Sequence, residues 1–548
     1  MNRKPDTQNV DVIVVGSGAT GLTAAILAHD HGAKVLVLEK TGRIGGTSAV
    51  SGGGLWVPMN PHMAATGASD SREEALAYCR ALTMGRVDDD LLETFIDNAP
   101  RMIEYLEGHT PLRFSAVSAP DYHPEVPGGK MGGRTLDPLP FDTGKLGEWR
   151  ELLRSPSSLA FPITLKEVYE EFKAFYQPWK IPQDLLVERM MNGTVCLGQA
   201  LVAPLLQAAA ERGISFMIGA RANKLLQAQG GVRGVRVEYE GKDQEIAASA
   251  VILASGGFEW NEELKSAYIP GAITHPNSPP CATGDGLLMA MEVGASLANM
   301  SEVWQYPSIT VPGETYEGRQ LSRGIKAERS GPHVIWVNNR GERFVNEAAN
   351  YNSVGKAFAA MEANAPSYRN MPAWAVLDSQ YRERFVLGTS MPDDPDPQWV
   401  LKADTLEELA TKMGIDPVRL RETVERWNGF CVDGEDRDFA RGISRFDQYQ
   451  GDPLSPHPNL GTIERGPFYA FEVRAGALGT KGGPRTSAKA EVLDVHRHVI
   501  PGLYAVGNVA ASVAGPSYFG AGSTLGPGMT WAYLAGIEAA AARGAAKR

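Results

Sequence analysis

The sequence predicts an α/β protein built on a parallel sheet, with a mixed α+β unit inserted between two parts of the first. Three observations carry this. Residues 11–39 read as strand, glycine turn, helix and strand, a βαβ crossover that implies a sheet buried on both faces. Residues 199–257 return to strand and helix patterns, and glycine-punctuated segments resume after 479. From about 301 to 465 the texture differs, with helical patterns alternating with proline-rich loops and no glycine clusters. The expected division is 1–300 plus 466–548 for the first unit and 301–465 for the insert.

In chain order, DVIVV (11–15) is a short apolar run ending in glycine, and Leu22, Ile26 and Leu27 then recur at helical spacing. KVLVL (34–38) is the second strand and ends at Glu39. QALVAPLLQAAAER (199–212) reads as an amphipathic helix, ISFMIG as a strand, GVRGVRVEY as half a hairpin and AVILASGGF as a buried strand. Within the insert, TLEELATKMG and PVRLRETVERWNGF carry helical periodicity. GLYAVGN and the helix ending in AYLAGIEAAAA complete the first unit, with Trp531 and Tyr533 expected in the core.

Composition limits the function. A chain of 548 residues suggests about three or four folding units. With 53 basic and 64 acidic residues the net charge is −11, which argues against nucleic acid and anionic membrane surfaces as partners. Cys79, Cys196, Cys281 and Cys431 form no CxxC pair, so neither a disulfide framework nor a zinc site is expected, and a reducing cytoplasm fits. His496 and His498 read as an exposed polar pair, and no metal is expected. The polar start MNRKPDTQNV has no signal-peptide core, and no apolar run approaches about 18 residues. The expectation is a soluble, cytoplasmic protein with at most peripheral membrane contact.

Gly16, Gly18 and Gly21 form GxGxxG directly after the first strand, and Glu39 closes the second strand 18 residues later. In that context the spacing is a Rossmann-like dinucleotide fingerprint. Gly16 permits the turn, Gly18 admits a pyrophosphate, Gly21 lets helix and strand pack, and the helix N-terminus around Ser17, Ala19 and Thr20 offers amides to phosphate. Glu39 is placed to accept from a ribose hydroxyl. Lys40 and the stretch GRIGGTSAVSGGG (42–54), with Gly45, Gly46, Thr47, Ser48, Gly52 and Gly53, suit the far part of an extended cofactor.

This stretch resembles the flavoprotein superfamily that includes fumarate reductases and 3-ketosteroid dehydrogenases. The resemblance implies non-covalent FAD. It also implies that Gly507, Asn508 and the backbone from Ser523 to Leu525 meet the ribityl chain and pyrimidine edge of the flavin. Gly256 and Gly257 then belong to the strand under the cofactor, and Arg221 and Ala222 hold adenine through backbone contacts. Around the C-terminal motif stand Tyr518, Phe519, Gly520, Gly522, Pro527, Met529 and Trp531, a neutral aromatic lining without the cations a dicarboxylate needs.

Three segments, DYHPEVPGG (121–129), GERFVNEAANYNSVGKAF (341–358) and SYFGAGSTLGPGMTWAY (517–533), are similar to the 3-ketosteroid Δ1-dehydrogenases. By position the resemblance puts a catalytic tyrosine pair on Tyr351 and Tyr122, and a ketone clamp on the Tyr518 hydroxyl and the Gly522 amide. It implies removal of a proton from carbon 2 by Tyr351, aided by Tyr122, and of a hydride from carbon 1 to flavin N5. Rival readings are a Δ4-(5α)-dehydrogenase, another flavin-dependent enone reductase, and a protein that only binds flavin or steroid. An external electron acceptor is expected, with a quinone as one candidate. Residues 145–190, with Phe161, Phe172, Phe175, Tyr176 and Trp179 expected to be exposed, read as a lid, a substrate mouth, a membrane-resting surface or plain packing onto the sheet.

Overall fold

The computed structural model describes residues 7, 9–158, 160–228, 230–271 and 273–542. Its main sheet has six strands in the order Glu491–Leu493, Val499–Ala505, Ala250–Leu253, Val12–Val15, Val35–Glu39 and Ser215–Ile218. All neighbours are parallel except the antiparallel pair at the Glu491 edge. Val12–Val15 and Ala250–Leu253 are buried along their whole length, which is why both read as unbroken apolar runs. The first strand pairs Val12 with Val35 on one side and with Ala250 on the other. Chain order therefore reverses there, and a crevice opens beyond the strand ends.

Helix Ala19–Asp30 is buried over most of its circumference, because the C-terminal helix Leu525–Ala542 packs tightly across it. A Cβ on Gly536 would come within 2.6 Å of the Ala24 carbonyl oxygen. On the other face of the sheet, Gly231–Tyr239 is the middle strand of a three-stranded antiparallel sheet with Arg221–Ala228 and Lys242–Ala247.

A four-stranded antiparallel sheet forms a separate core, in the order Val334–Val337, Ala373–Asp378, Phe468–Val473 and Leu401–Ala403. Helices Leu406–Met413 and Pro417–Asp433 cover it through Leu409, Leu420 and Trp427. The first of these is capped by Thr405, whose hydroxyl accepts from the Glu408 amide at 3.2 Å. Strand Phe468–Val473 lies past residue 465, yet it pairs with Ala373–Asp378 across six registered positions. The hairpin of Ser308–Tyr316 and Arg319–Gly324 stands beside this sheet and carries the chain towards the cavity between the two cores.

Candidate active site

A cavity of about 550 Å³ begins where Val12–Val15 and Ala250–Leu253 end and runs into the gap between the two cores. At its floor the GxGxxG turn is set by close packing. A Cβ on Gly16, whose φ is +111°, would lie 2.4 Å from the Ala254 carbonyl oxygen, and one on Gly21 would lie 2.1 Å from the Gly16 oxygen. Ser17 Oγ donates to Glu39 Oε2 at 2.5 Å and accepts from the Gly45 amide at 3.2 Å. Ser48 Oγ accepts from the Ala19 amide at 3.1 Å. These bonds tie the 42–54 stretch to the turn.

Gly16, Ser17, Gly18, Thr20, Glu39 and Lys40 face the cavity, as do Gly46, Thr47, Ser48, Gly52 and Gly53. Farther along it are Ala222, Gly256, Gly507, Asn508 and Leu525. Five expected residues lie behind the wall. Ala19, Gly21 and Gly45 pack the turn, Gly257 presses on Thr480, and Ser523 bonds back to Gly520 N and O at 2.9 and 2.7 Å. Glu39 Oε1 accepts from the amide and hydroxyl of Thr41, each at 2.8 Å. Lys40 Nζ donates to Thr283 and Asp285 at 2.7 and 2.9 Å, and Arg221 joins the same Asp285 at 2.9 Å.

At the other end, three tyrosines from distant segments meet. The Tyr122 hydroxyl donates to that of Tyr351 at 2.6 Å. Ring centres lie 5.3 Å apart for Tyr122 and Tyr351, 5.0 Å for Tyr122 and Tyr518, and 5.4 Å for Tyr351 and Tyr518. Each is held by its own segment. The Tyr122 amide donates to Phe519 O at 3.0 Å, and Asp121 accepts from Trp56 and Arg134, each at 2.7 Å. Tyr351 opens helix Tyr351–Lys356, capped by Asn350 Oδ1 on the Ser353 amide at 3.0 Å. Gly522, with φ +99°, sits so close to the Leu55–Trp56 backbone that a Cβ would come within 2.5 Å of it. Burial pushes the phenols of Tyr122 and Tyr351 well above the ordinary tyrosine value, and Tyr518 above it too. At neutral pH the trio is protonated.

A family model for the FAD binding domain matches residues 11–525. The chain belongs to this flavoprotein family. It is 40% identical to the 4-oxocyclohexanecarboxylate 2-dehydrogenase of Sinomonas cyclohexanicum over 96% of this chain and 92% of that one. It is 36% identical to the 3-oxosteroid 1-dehydrogenase of Mycolicibacterium smegmatis over 99% of each. The crystal structure of the 3-ketosteroid Δ1-dehydrogenase of Sterolibacterium denitrificans with 1,4-androstadiene-3,17-dione matches with a TM-score of 0.91 at 37% identity, covering 97% of this chain and 99% of that one.

The flavoprotein is an oxidoreductase whose cofactor is FAD, and its own residues fit that group. Cβ atoms on Gly52 and Gly256 would meet nothing within 4 Å, and one on Gly18 would meet only Ser48 and Gly45 atoms beyond 3.3 Å, so bare backbone faces open space along the floor. The Ser255 hydroxyl is buried there without a partner among the described residues. The Trp304 indole donates to Asn508 Oδ1 at 3.1 Å and orients that amide. No described helix is long and apolar enough to cross a membrane.

The expectation of a neutral lining needs correction. Lys326 and Glu328 both face the cavity, and Lys481 lies behind its wall with Nζ 4.3 Å from the Trp304 ring centre and 6.0 Å from that of Tyr518. Lys481 is fully buried and donates to Ser517 O at 2.7 Å, and burial drives its pKa well below the lysine value. Sequence spacing carried no sign of Lys326, Tyr169, Tyr306 or Tyr449, because they come from loops and short helical turns outside the glycine motifs. Tyr306 packs on Tyr351 with ring centres 4.7 Å apart. In the 145–190 segment Phe161 and Trp179 are exposed, but Tyr176 is buried and donates to Gln450 O at 2.7 Å. Ile163, Leu165, Val168 and Tyr169 of the same segment line the cavity, so the segment forms part of its wall.

Proposed function

We propose that this flavoprotein dehydrogenates a ring ketone, removing the hydrogens of carbons 1 and 2 of a 3-ketosteroid. Tyr351 is the base, Tyr122 its hydrogen-bond partner, and the Tyr518 hydroxyl with the Gly522 amide the clamp on the carbonyl oxygen. The observation that carries the reading is the meeting of the three tyrosines on one cavity that also holds the glycine-rich cradle.

Chemically the set does what the reaction requires. A carbon next to a ketone loses its proton more readily when the oxygen is met by donors, and each such donor is worth about 2.7–4 kcal/mol. As the phenolate, Tyr351 takes that proton and becomes the phenol, and the Tyr122 hydroxyl steadies the charged form by donating to the Tyr351 oxygen. When bound, FAD supplies the two-electron acceptor for the hydride from carbon 1. The aromatic walls of Tyr306, Phe446 and Tyr518 exclude water and hold the ring flat. Two units carry the site, 1–300 with 466–548 and 301–465, and strand Phe468–Val473, past the second boundary, pairs into the sheet of the 301–465 unit. Reoxidation falls to an external acceptor, for which a quinone is the candidate, and the protein acts in the cytoplasm.

The relative at 40% identity favours a second reading, in which the ketone ring is monocyclic and carries a carboxylate. Anaerobic addition of androst-4-ene-3,17-dione to the yellow holoprotein tests the first, with bleaching and a product unsaturated between carbons 1 and 2 expected. Unsaturation between carbons 4 and 5 from a saturated ketosteroid would transfer the reading to the Δ4-(5α) activity. No bleaching with steroid or monocyclic ketone would leave a binding protein.

A further inference from the structure

One wall of the substrate half carries polar groups that the dehydrogenation of a neutral ketone leaves idle. Phe175, Tyr169 and Tyr449 form a three-ring stack, with ring centres 5.0 and 5.5 Å apart and planes within 23° and 19°. The Lys326 ammonium lies 5.9 Å from the ring centres of both Tyr169 and Phe175. All four residues face the cavity. Among the described residues no carboxylate pairs with this ammonium. The Tyr449 hydroxyl is buried and has no partner among the described residues either.

A cation without a carboxylate partner and a buried hydroxyl without any, set on one stack of rings in the cavity wall, are costly unless something negative joins them. Burial works against the charge on Lys326, but the neighbouring Tyr169 and Tyr306 oxygens outweigh it and hold the ammonium protonated. Glu328 on the same wall forms no ion pair with Lys326. Burial raises its pKa, and its Oε1 accepts from the Gly388 amide at 2.8 Å. Lys326 also stands near enough to the clamp for its charge to favour the Tyr518 and Tyr306 phenolates. The cation and the clamp residues Tyr518 and Gly522 line the same cavity.

We propose that Lys326, with the hydroxyls of Tyr169 and Tyr449, forms an anion subsite in the substrate half of the cavity, so that the enzyme takes a ring ketone bearing a carboxylate. This rests on the ring-ketone reading above for the reaction, though not for the binding. The shared chemistry is a carboxylate held away from the ketone, on either a single ring or a steroid side chain.

Calorimetric titration of the holoprotein with cyclohexanecarboxylate and its neutral carboxamide tests the subsite without turnover. The acid binds at least about tenfold more tightly, Lys326→Met abolishes that preference, and Lys326→Arg retains most of it. Tyr449→Phe reduces it severalfold. Equal binding of acid and amide, or a preference that survives in Lys326→Met, would overturn the proposal. Turnover of 4-oxocyclohexanecarboxylate, 3-oxochol-4-en-24-oate and androst-4-ene-3,17-dione then identifies the source of the carboxylate by the larger kcat/KM. In Lys326→Met the acid-to-neutral ratio of kcat/KM falls at least about tenfold. A loss that is equal for acid and neutral substrates would instead make Lys326 a positioning residue for the tyrosines and sink the subsite. If the calorimetric preference holds while no ketone is oxidised, the reading of the reaction fails and the subsite stands.

Discussion

Tyr351 and Tyr122 share one short hydrogen bond in a buried place, and that environment decides how the pair behaves with pH. Burial raises both phenols, so the pair keeps its protons through neutral pH, and catalysis should climb as the solution becomes alkaline. The sign follows from the bond. When one oxygen loses its proton the other donates to it, and Tyr122→Phe removes that donor. The alkaline limb of a kcat/KM profile should then move to higher pH, and an unmoved limb would exclude Tyr122 as the partner. Tyr518→Phe should lower kcat by about 100-fold with the flavin spectrum intact, and single-turnover flavin reduction measures it.

At the scale of elements, the segment GERFVNEAANY is a brace for the helix that begins at Tyr351. Arg343 bonds to Glu347 and Asp436 at 2.8–3.0 Å, and Arg441 reaches the same Glu347 at 3.1 Å, with Glu347, Asp436, Arg441 and the Arg343 side chain buried. Burial alone would raise the Glu347 carboxyl, but Arg343 and Arg441 hold it below the ordinary carboxylate range. Its folded value is thus depressed, so its contribution to stability is present above the unfolded carboxylate pKa and is lost as pH falls through the folded one. Glu347→Gln leaves two buried guanidinium groups short of charge and should destabilise by about 3–5 kcal/mol, read as a lower denaturant midpoint at neutral pH and a smaller difference in acid. Gly522→Ala should displace the C-terminal loop from Leu55–Trp56, lowering both activity and thermal stability.

On the scale of the whole molecule, the cavity joins the floor of one core to the wall of the other, so a cofactor seated there reports on both. Stripping FAD should lower the melting temperature by a few degrees and added FAD should restore it, since a ligand that binds only the folded state stabilises by about 2.7 kcal/mol at 100 times its Kd. A scan without change would mean that FAD contributes nothing to the cohesion of the fold.

The cradle around Gly16, Gly18 and Glu39 was legible because glycine spacing, a strand and a helix N-terminus are neighbours in the chain and fix one another locally. So were the helices Leu406–Met413 and Pro417–Asp433, whose apolar faces repeat every turn. Tertiary structure alone brought Tyr122 to Tyr351 across 229 residues, drew Phe468–Val473 into the second sheet, and placed Lys326 in the cavity. Period and spacing record contacts within a few residues, whereas these depend on which distant surfaces bury each other, and no local pattern marks that choice.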